Sequence, residues 1–272
     1  SNRHRVSEMV SDSSGLLKGK RVVITAGANG IGLAMARHFL EQGATVCICD
    51  VDGAAISRLS GSYARLHGFE VDVADPTAVG AFFKAAEQTM GGLDILVNNA
   101  GIAGPTALCE DVDIEDWHRT INVDLNAQFY CAKYAIPLLK ASGGGSIVMM
   151  ASNAALFGFP MRSPYTAAKW ALVGLTKTLA MELGPYGIRV NALCPCSVEG
   201  PRIDGVIERE AAKRGVSPQK IREDYQRQSS LRTFVRADDV AAMAFFLVSD
   251  AGAKISGQAI GVDGHTESLA QL

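Results

Sequence analysis

Of the six tyrosines in the chain, Tyr165 alone has a lysine four residues on, Lys169, within the run SPYTAAKWALVGLTKTLAMELG. Positions i and i+4 share one face of a helix. A phenol of ordinary pKa about 10 is a poor base at neutral pH, but a nearby ammonium favours the phenolate and brings it into a useful range. Such a tyrosine can pass a proton to or from an alcohol oxygen. The spacing alone is a weak signal, so its surroundings must decide. Ser152 closes the apolar run SIVMMAS thirteen residues earlier, and open parallel sheets take their ligands just beyond the carboxyl ends of such strands.

A second candidate site is TAGANGIG, Thr25 to Gly32. A loop joining a first strand to a first helix needs glycine where the chain turns tightly and where backbone approaches a phosphate; Gly27, Gly30 and Gly32 stand there. The helix beginning near Gly30 then aims its free N–H groups at a pyrophosphate. Asp50, twenty residues past Gly30, is placed to accept hydrogen bonds from both adenosine ribose hydroxyls and to repel a 2′-phosphate. The loop carries no Arg or Lys to relieve that repulsion, so NAD is expected and NADP disfavoured. The plainer reading is a tight turn followed by a strand-end Asp. Ala26 stands where the first loop glycine is expected, and its methyl is tolerated if φ is negative there.

These residues need elements to hold them. KRVVITA, ATVCICD, HGFEVDV, LDILVNNAG, SIVMMAS, IRVNALC and GQAIGVDG read as seven buried strands. Helical patterns separate them at 30–42, 53–59, 76–90, around 116–139, over 163–184, and in ADDVAAMAFFLVSD. Strands alternating with helices call for a doubly wound parallel sheet of the Rossmann type in one α/β domain over 18–272. Residues 1–17 read as a polar, flexible leader. From 199 to 236, nine Lys or Arg stand against six Asp or Glu with few apolar positions, which reads as a helical lid over a substrate.

A chain of 272 residues with 48% hydrophobic content can bury one large core. Its net charge of −2 gives no long-range pull toward nucleic acid or an anionic membrane. No apolar run is long enough to span a bilayer, and the start has no apolar signal region. A cytoplasmic enzyme with a small-molecule partner is expected. The six cysteines read as reduced thiols, and Cys194 and Cys196 lack a second ligand pair for a metal.

Taken in order, these motifs resemble the classical short-chain dehydrogenase/reductase family from about Lys18 to Gly264. TAGANGIG is similar to the family's TGxxxGxG, and NNAG at Asn98 to Gly101 to its strand-four motif. Ser152, Tyr165 and Lys169 resemble its catalytic set, Asn122 in INVD its fourth catalytic residue, and Asp72 in VDV its adenine-contacting Asp. The resemblance implies that Tyr165 is the general acid/base and that Ser152 hydrogen-bonds the substrate oxygen. Lys169 would hold the nicotinamide ribose and lower the tyrosine pKa, and Asn122 would position a water in the proton path. Cofactor contacts are implied for Gly27, Asn29, Gly30, Ile31, Asp50, Asp72, Val73, Asn99, Ala100, Gly101, Tyr165, Lys169, Pro195 and Val198. Assembly as a homotetramer or homodimer through the two long helices is implied as well.

Beyond Ala26, two departures stand out: Cys196 follows Pro195 where the family has glycine, and Gly200 replaces a Thr or Ser that commonly contacts the cofactor. The expected activity is NAD-dependent interconversion of a secondary alcohol and a ketone on a small polar substrate such as a polyol, sugar or hydroxy acid. A 3-oxoacyl thioester reductase is one alternative, and a weakly catalytic NAD-binding sensor or interaction protein another. Arg162 and Arg202 border the expected reaction site, and their planar forks suit carboxylates and other oxyanions. The alternative for both is a salt bridge, with Glu199 or Asp204 for example, or plain exposure to solvent.

Overall fold

The computed structural model describes residues 15–269. Seven strands form one parallel sheet in the order β3-β2-β1-β4-β5-β6-β7. They are β1 Arg21–Thr25, β2 Thr45–Asp50, β3 Leu66–Glu70, β4 Ile95–Asn98, β5 Gly145–Met150, β6 Ile188–Pro195 and β7 Ala259–Val262. The central strands are apolar almost throughout because both faces are covered. Helices α1 (Gly30–Glu41), α2 (Gly53–Leu59) and α9 (Ala237–Val248) cover one face; α3 (Pro76–Met90), α5 (Ala127–Ala141) and α6 (Ser163–Leu183) cover the other. A shorter α4, Ile114–Ile121, runs into α5 through a π-type turn over Asn122–Asn126.

Local signals set the helix boundaries. The Asp52 carboxylate caps α2 through the Ala55 N–H at 2.9 Å, and Asp75 caps α3 through the Thr77 N–H at 2.8 Å, just ahead of Pro76. Strand order reverses between β1 and β4, so the loops after those strands diverge and open a crevice at the carboxyl edge of the sheet.

The segment after β6 holds α7 (Pro201–Arg214) and α8 (Pro218–Arg227). Contrary to its sparse apolar pattern, it has a small core of its own, in which Ile203, Val206, Ile207, Ile221, Tyr225 and Phe234 are buried together. Its two ends meet where Glu199 N–H donates to Val235 O at 2.9 Å and Val235 N–H to Ser197 O at 3.1 Å. The leader expected over 1–17 falls mostly outside the described residues, but Leu17 is inside them and buried. Its N–H donates to Gln42 O at 2.9 Å, so the folded unit already includes it.

Ala26 differs from the sequence expectation of a negative φ: its φ is +50°. The chain leaves β1 in a left-handed turn, the conformation that makes glycine the common residue at such a place. A Cβ there costs about 1–2 kcal/mol, partly offset by the roughly 0.4–1 kcal/mol of unfolded-chain entropy that alanine removes. Ala26→Gly is therefore expected to raise the calorimetric melting temperature of the ligand-free protein by about 2 °C. An unchanged or lower value would contradict strain at this turn.

Candidate active site

Helix α6 opens with Pro164 in its first turn and carries Tyr165 and Lys169 one turn apart. Lys169 is buried, and its Nζ donates to the carbonyl of Met150, the last residue of β5, at 3.0 Å. The same ammonium lies 5.4 Å from the Tyr165 ring centroid. Ser152 lies two residues past Met150, and its Oγ accepts from Ala154 N–H at 3.1 Å. All three line a cavity of about 360 Å³. Burial alone would push the Tyr165 phenol upward; Lys169, Arg202, the adjacent Ser152 hydroxyl and Arg162 outweigh it and hold the phenol below its ordinary value of 10.0.

The proton-path role inferred for Asn122 does not fit its position. The Asn122 amide donates to Ala74 O at 3.4 Å and accepts from Asn126 at 3.2 Å, and the residue does not line the cavity. Two residues along a helix turn a side chain roughly to the opposite face, and Asp124 faces inward instead. Its Oδ1 accepts from Ile102 N–H at 2.6 Å, while the buried Oδ2 has no protein partner. Asp124 and Lys169 flank Gly101: a Cβ there would stand 3.2 Å from Asp124 Oδ1 and 3.4 Å from Lys169 Nζ. Burial raises the Asp124 carboxyl, against the pull of Lys169, its own hydrogen bond, Arg202 and Arg162. The sequence held a signal for this residue: Asp124 falls on the stripe of Ala127, Gln128, Cys131 and Ala135 that α5 buries.

Asn29, Gly30, Ile31 and Asp50 lie on the same cavity wall, together with Asn99, Gly101, Pro195 and Val198. The space at Gly30 is open, since a Cβ would meet nothing within 4 Å. Asp50 is aimed by two backbone donors, Ala28 N–H and Asp52 N–H, each at 3.1 Å. Four residues of the inferred set stand off the wall. Gly27 is a packing position, where a Cβ would reach within 2.5 Å of Ile48 Cγ2. Asp72 caps the turn after β3 by accepting from Ala74 N–H at 2.9 Å, and Val73 and Ala100 are buried in the core. Thr25, which sequence reasoning missed, sets the loop after β4: its Oγ1 accepts from the N–H groups of Asn99 and Ala100, both at 2.9 Å.

Both departures in the loop after β6 have local explanations. Gly200 has φ +140° and ψ −178° at the start of α7, a conformation essentially restricted to glycine. Cys196 is half-buried against the core, and burial raises its thiol to about 11. Arg162 and Arg202 both line the cavity. Their guanidinium carbons lie 4.8 and 6.0 Å from the Tyr165 ring centroid.

A crevice at the strand-order reversal, an open glycine-loop helix start and a Tyr–Lys–Ser cluster define a dinucleotide-dependent oxidoreductase site. Residues 25–265 match the family model described as "Enoyl-(Acyl carrier protein) reductase". The chain is 36% identical to trans-4-hydroxycyclohexanecarboxylate dehydrogenase of Sinomonas cyclohexanicum, over 96% of this chain and 95% of that one. It is 34% identical to D-beta-hydroxybutyrate dehydrogenase of Rhizobium meliloti (strain 1021), over 90% and 97%. The solved structure of NAD+-bound xylitol dehydrogenase superposes with a TM-score of 0.87 at 25% identity, covering 90% of this chain and 98% of that one. The chain belongs to the short-chain dehydrogenase/reductase family, whose Rossmann fold binds a nicotinamide cofactor.

The geometry separates two neighbouring positions. Asn122→Ala is expected to leave kcat essentially unchanged. Asp124→Ala should lower it at least about tenfold, the scale of one lost hydrogen bond to a charged group at about 1.5–3 kcal/mol. Steady-state rates of the two variants check this, and the reverse order would contradict it.

Proposed function

We propose that this enzyme uses NAD to interconvert a secondary alcohol and its ketone on a small polar substrate. The observation that carries the reading is the placement of Tyr165, Lys169 and Ser152 on the wall of one cavity that the Asp50 carboxylate also lines. The residues present fit the cofactor. Open space at Gly30 admits a pyrophosphate to the start of α1, and Asp50, held by two backbone donors, keeps lone pairs free for a ribose diol. Asp52 adds a second carboxylate nearby, and the one cation paired with it, Arg58 at 3.9 Å, is exposed. A 2′-phosphate would meet net negative charge there.

Bound nicotinamide accepts or returns the hydride. The chain's own part is to place the carbinol and move its proton. Ser152 Oγ–H donates to the substrate oxygen, and the Tyr165 phenolate takes the carbinol proton as the carbonyl forms. Lys169 lowers the phenol's pKa below 10.0, favouring the phenolate, while anchored to Met150 O. In the reducing direction the same phenol returns the proton. The family model's description supports a second reading, in which an acyl thioester fills the cavity. Exposed Phe129 on α5 and Trp170 and Met181 on α6 support assembly through these helices. A light-scattering mass of a single 28.7 kDa chain would contradict that assembly.

The test is NADH formation with a panel of 3-hydroxybutyrate, 4-hydroxycyclohexanecarboxylate, 2,3-butanediol, xylitol and a 3-hydroxyacyl thioester. Because the phenol is held below 10.0 and must be ionised to accept a proton, oxidation should rise with pH and level off below that value. Tyr165→Phe should lower kcat by at least about a hundredfold, with NAD binding retained. Asp50→Ala should lose efficiency with NAD and gain relatively with NADP. Near-native kcat in the first variant, or equal efficiency of the native enzyme with both cofactors, would sink the reading.

A further inference from the structure

The reacting end of the cavity sets three cations against one carboxylate. Lys169, Arg162 and Arg202 surround the Tyr165 ring at 5.4, 4.8 and 6.0 Å. The single carboxylate coupled to all three is Asp124. The acidic partners that sequence reasoning offered for the arginines are not available: Asp204 is bonded to Arg222, and Glu199 lies within 4.0 Å of neither guanidinium. Indeed, among the described residues no carboxylate approaches Arg162 or Arg202 that closely.

Arg162 is 5% exposed. Its Nη2 donates to Ala103 O at 2.6 Å, its side chain also hydrogen-bonds Tyr225, and its Nε is buried without a hydrogen-bond partner. A buried guanidinium with no carboxylate paired within 4.0 Å is costly to hold, and a donor with no acceptor adds to that cost. Arg202, at the start of α7, has one long hydrogen bond to Gly101 O at 3.4 Å. The first arginine is fixed on the sheet side of the cavity at the start of α6; the second is carried by the lid. Two planar forks lining one cavity, both within reach of the proton-transferring ring, suit a single anion between them.

We propose that Arg162 and Arg202 form a carboxylate subsite over Tyr165, and that the substrate is a short hydroxycarboxylate whose carbinol meets Tyr165 and Ser152 while its carboxylate spans the two guanidinium groups. The inference rests on the secondary-alcohol reading above and narrows it. The carboxylate stands only a few bonds from the carbinol, because both guanidinium carbons lie within 6.0 Å of the Tyr165 ring centroid. A neutral polyol leaves both cations unpaired, and a thioester carbonyl offers them no negative charge.

The test is a binding measurement, so it is decided whether or not any alcohol is turned over. Cyclohexanecarboxylate and its neutral counterpart cyclohexanecarboxamide are titrated by ligand-observed NMR into native protein loaded with NAD, and into Arg162→Met, Arg202→Met and Arg202→Lys. The native protein should bind the acid at least about 30-fold more tightly than the amide, the scale of a desolvated charge contact. Arg202→Met should abolish that preference with amide binding unchanged, and Arg202→Lys should restore part of it. Arg162→Met should act likewise, and if it melts early the Arg202 pair alone decides. Equal affinity of native protein for acid and amide, or a preference that survives Arg202→Met, would overturn the subsite. Failure of every alcohol in the turnover panel would instead overturn the secondary-alcohol reading.

Discussion

The Met150 carbonyl is the point on which the site depends. It ends β5 and accepts from Lys169 Nζ at 3.0 Å and from Gln128 Nε2 at 3.1 Å. The backbone of Gln128 is in turn held by Asn98 of β4 through a hydrogen bond of 2.8 Å. A buried ammonium is tolerable only when hydrogen-bonded and faced by opposite charge; here the carbonyl supplies the bond and Asp124 the charge. One carbonyl thus locks α5 and α6 to the central strands and fixes where the lysine charge lies beneath Tyr165. The phenol's lowered pKa follows from that placement, since burial by itself drives it the other way.

The second constraint is the reversal of strand order between β1 and β4, which opens the crevice into which every functional loop projects. Thr25 ties the two diverging loops together at their bases through its two accepted hydrogen bonds. On the other side, the lid is a small packed unit, its ends joined at Val198 and Val235. Its buried Glu210 accepts from Tyr225 Oη at 2.8 Å and pairs with Arg214 at 3.2 Å. Lid charges are therefore largely used to hold the lid itself, which makes the two arginines turned toward Tyr165 conspicuous by contrast.

Much of the fold was legible in the sequence, because parallel strands buried on both faces read as continuous apolar runs and their helices carry caps such as Asp75–Pro76. The Tyr165–Lys169 pair was legible because helix spacing is local. What escaped depends on direction rather than spacing. Asn122 and Asp124 are two residues apart in one motif, and the buried stripe of α5, more than the motif, tells which one turns inward. The positive φ of Ala26 was hidden because alanine does not advertise a left-handed turn. Gly27 resembles a phosphate contact in its motif but stands against Ile48, a distinction that only the packing of β2 makes. The lid's core was missed because six of its seven buried apolar positions are spread over two short, highly charged helices and the seventh, Phe234, lies in the segment after them.

The central claim is that the buried Lys169 charge, pinned to Met150, sets the ionisation of Tyr165. The direct measurement is a pH titration of the Tyr165 ring carbon that bears oxygen, by NMR of protein labelled with ¹³Cζ-tyrosine and assigned with Tyr165→Phe. The account predicts a midpoint below 10.0 in the native protein. Removing the charge in Lys169→Met should move that midpoint up, because burial then acts with less opposition. A native midpoint at or above 10.0, or one that stays in place when Lys169 is replaced, would contradict it.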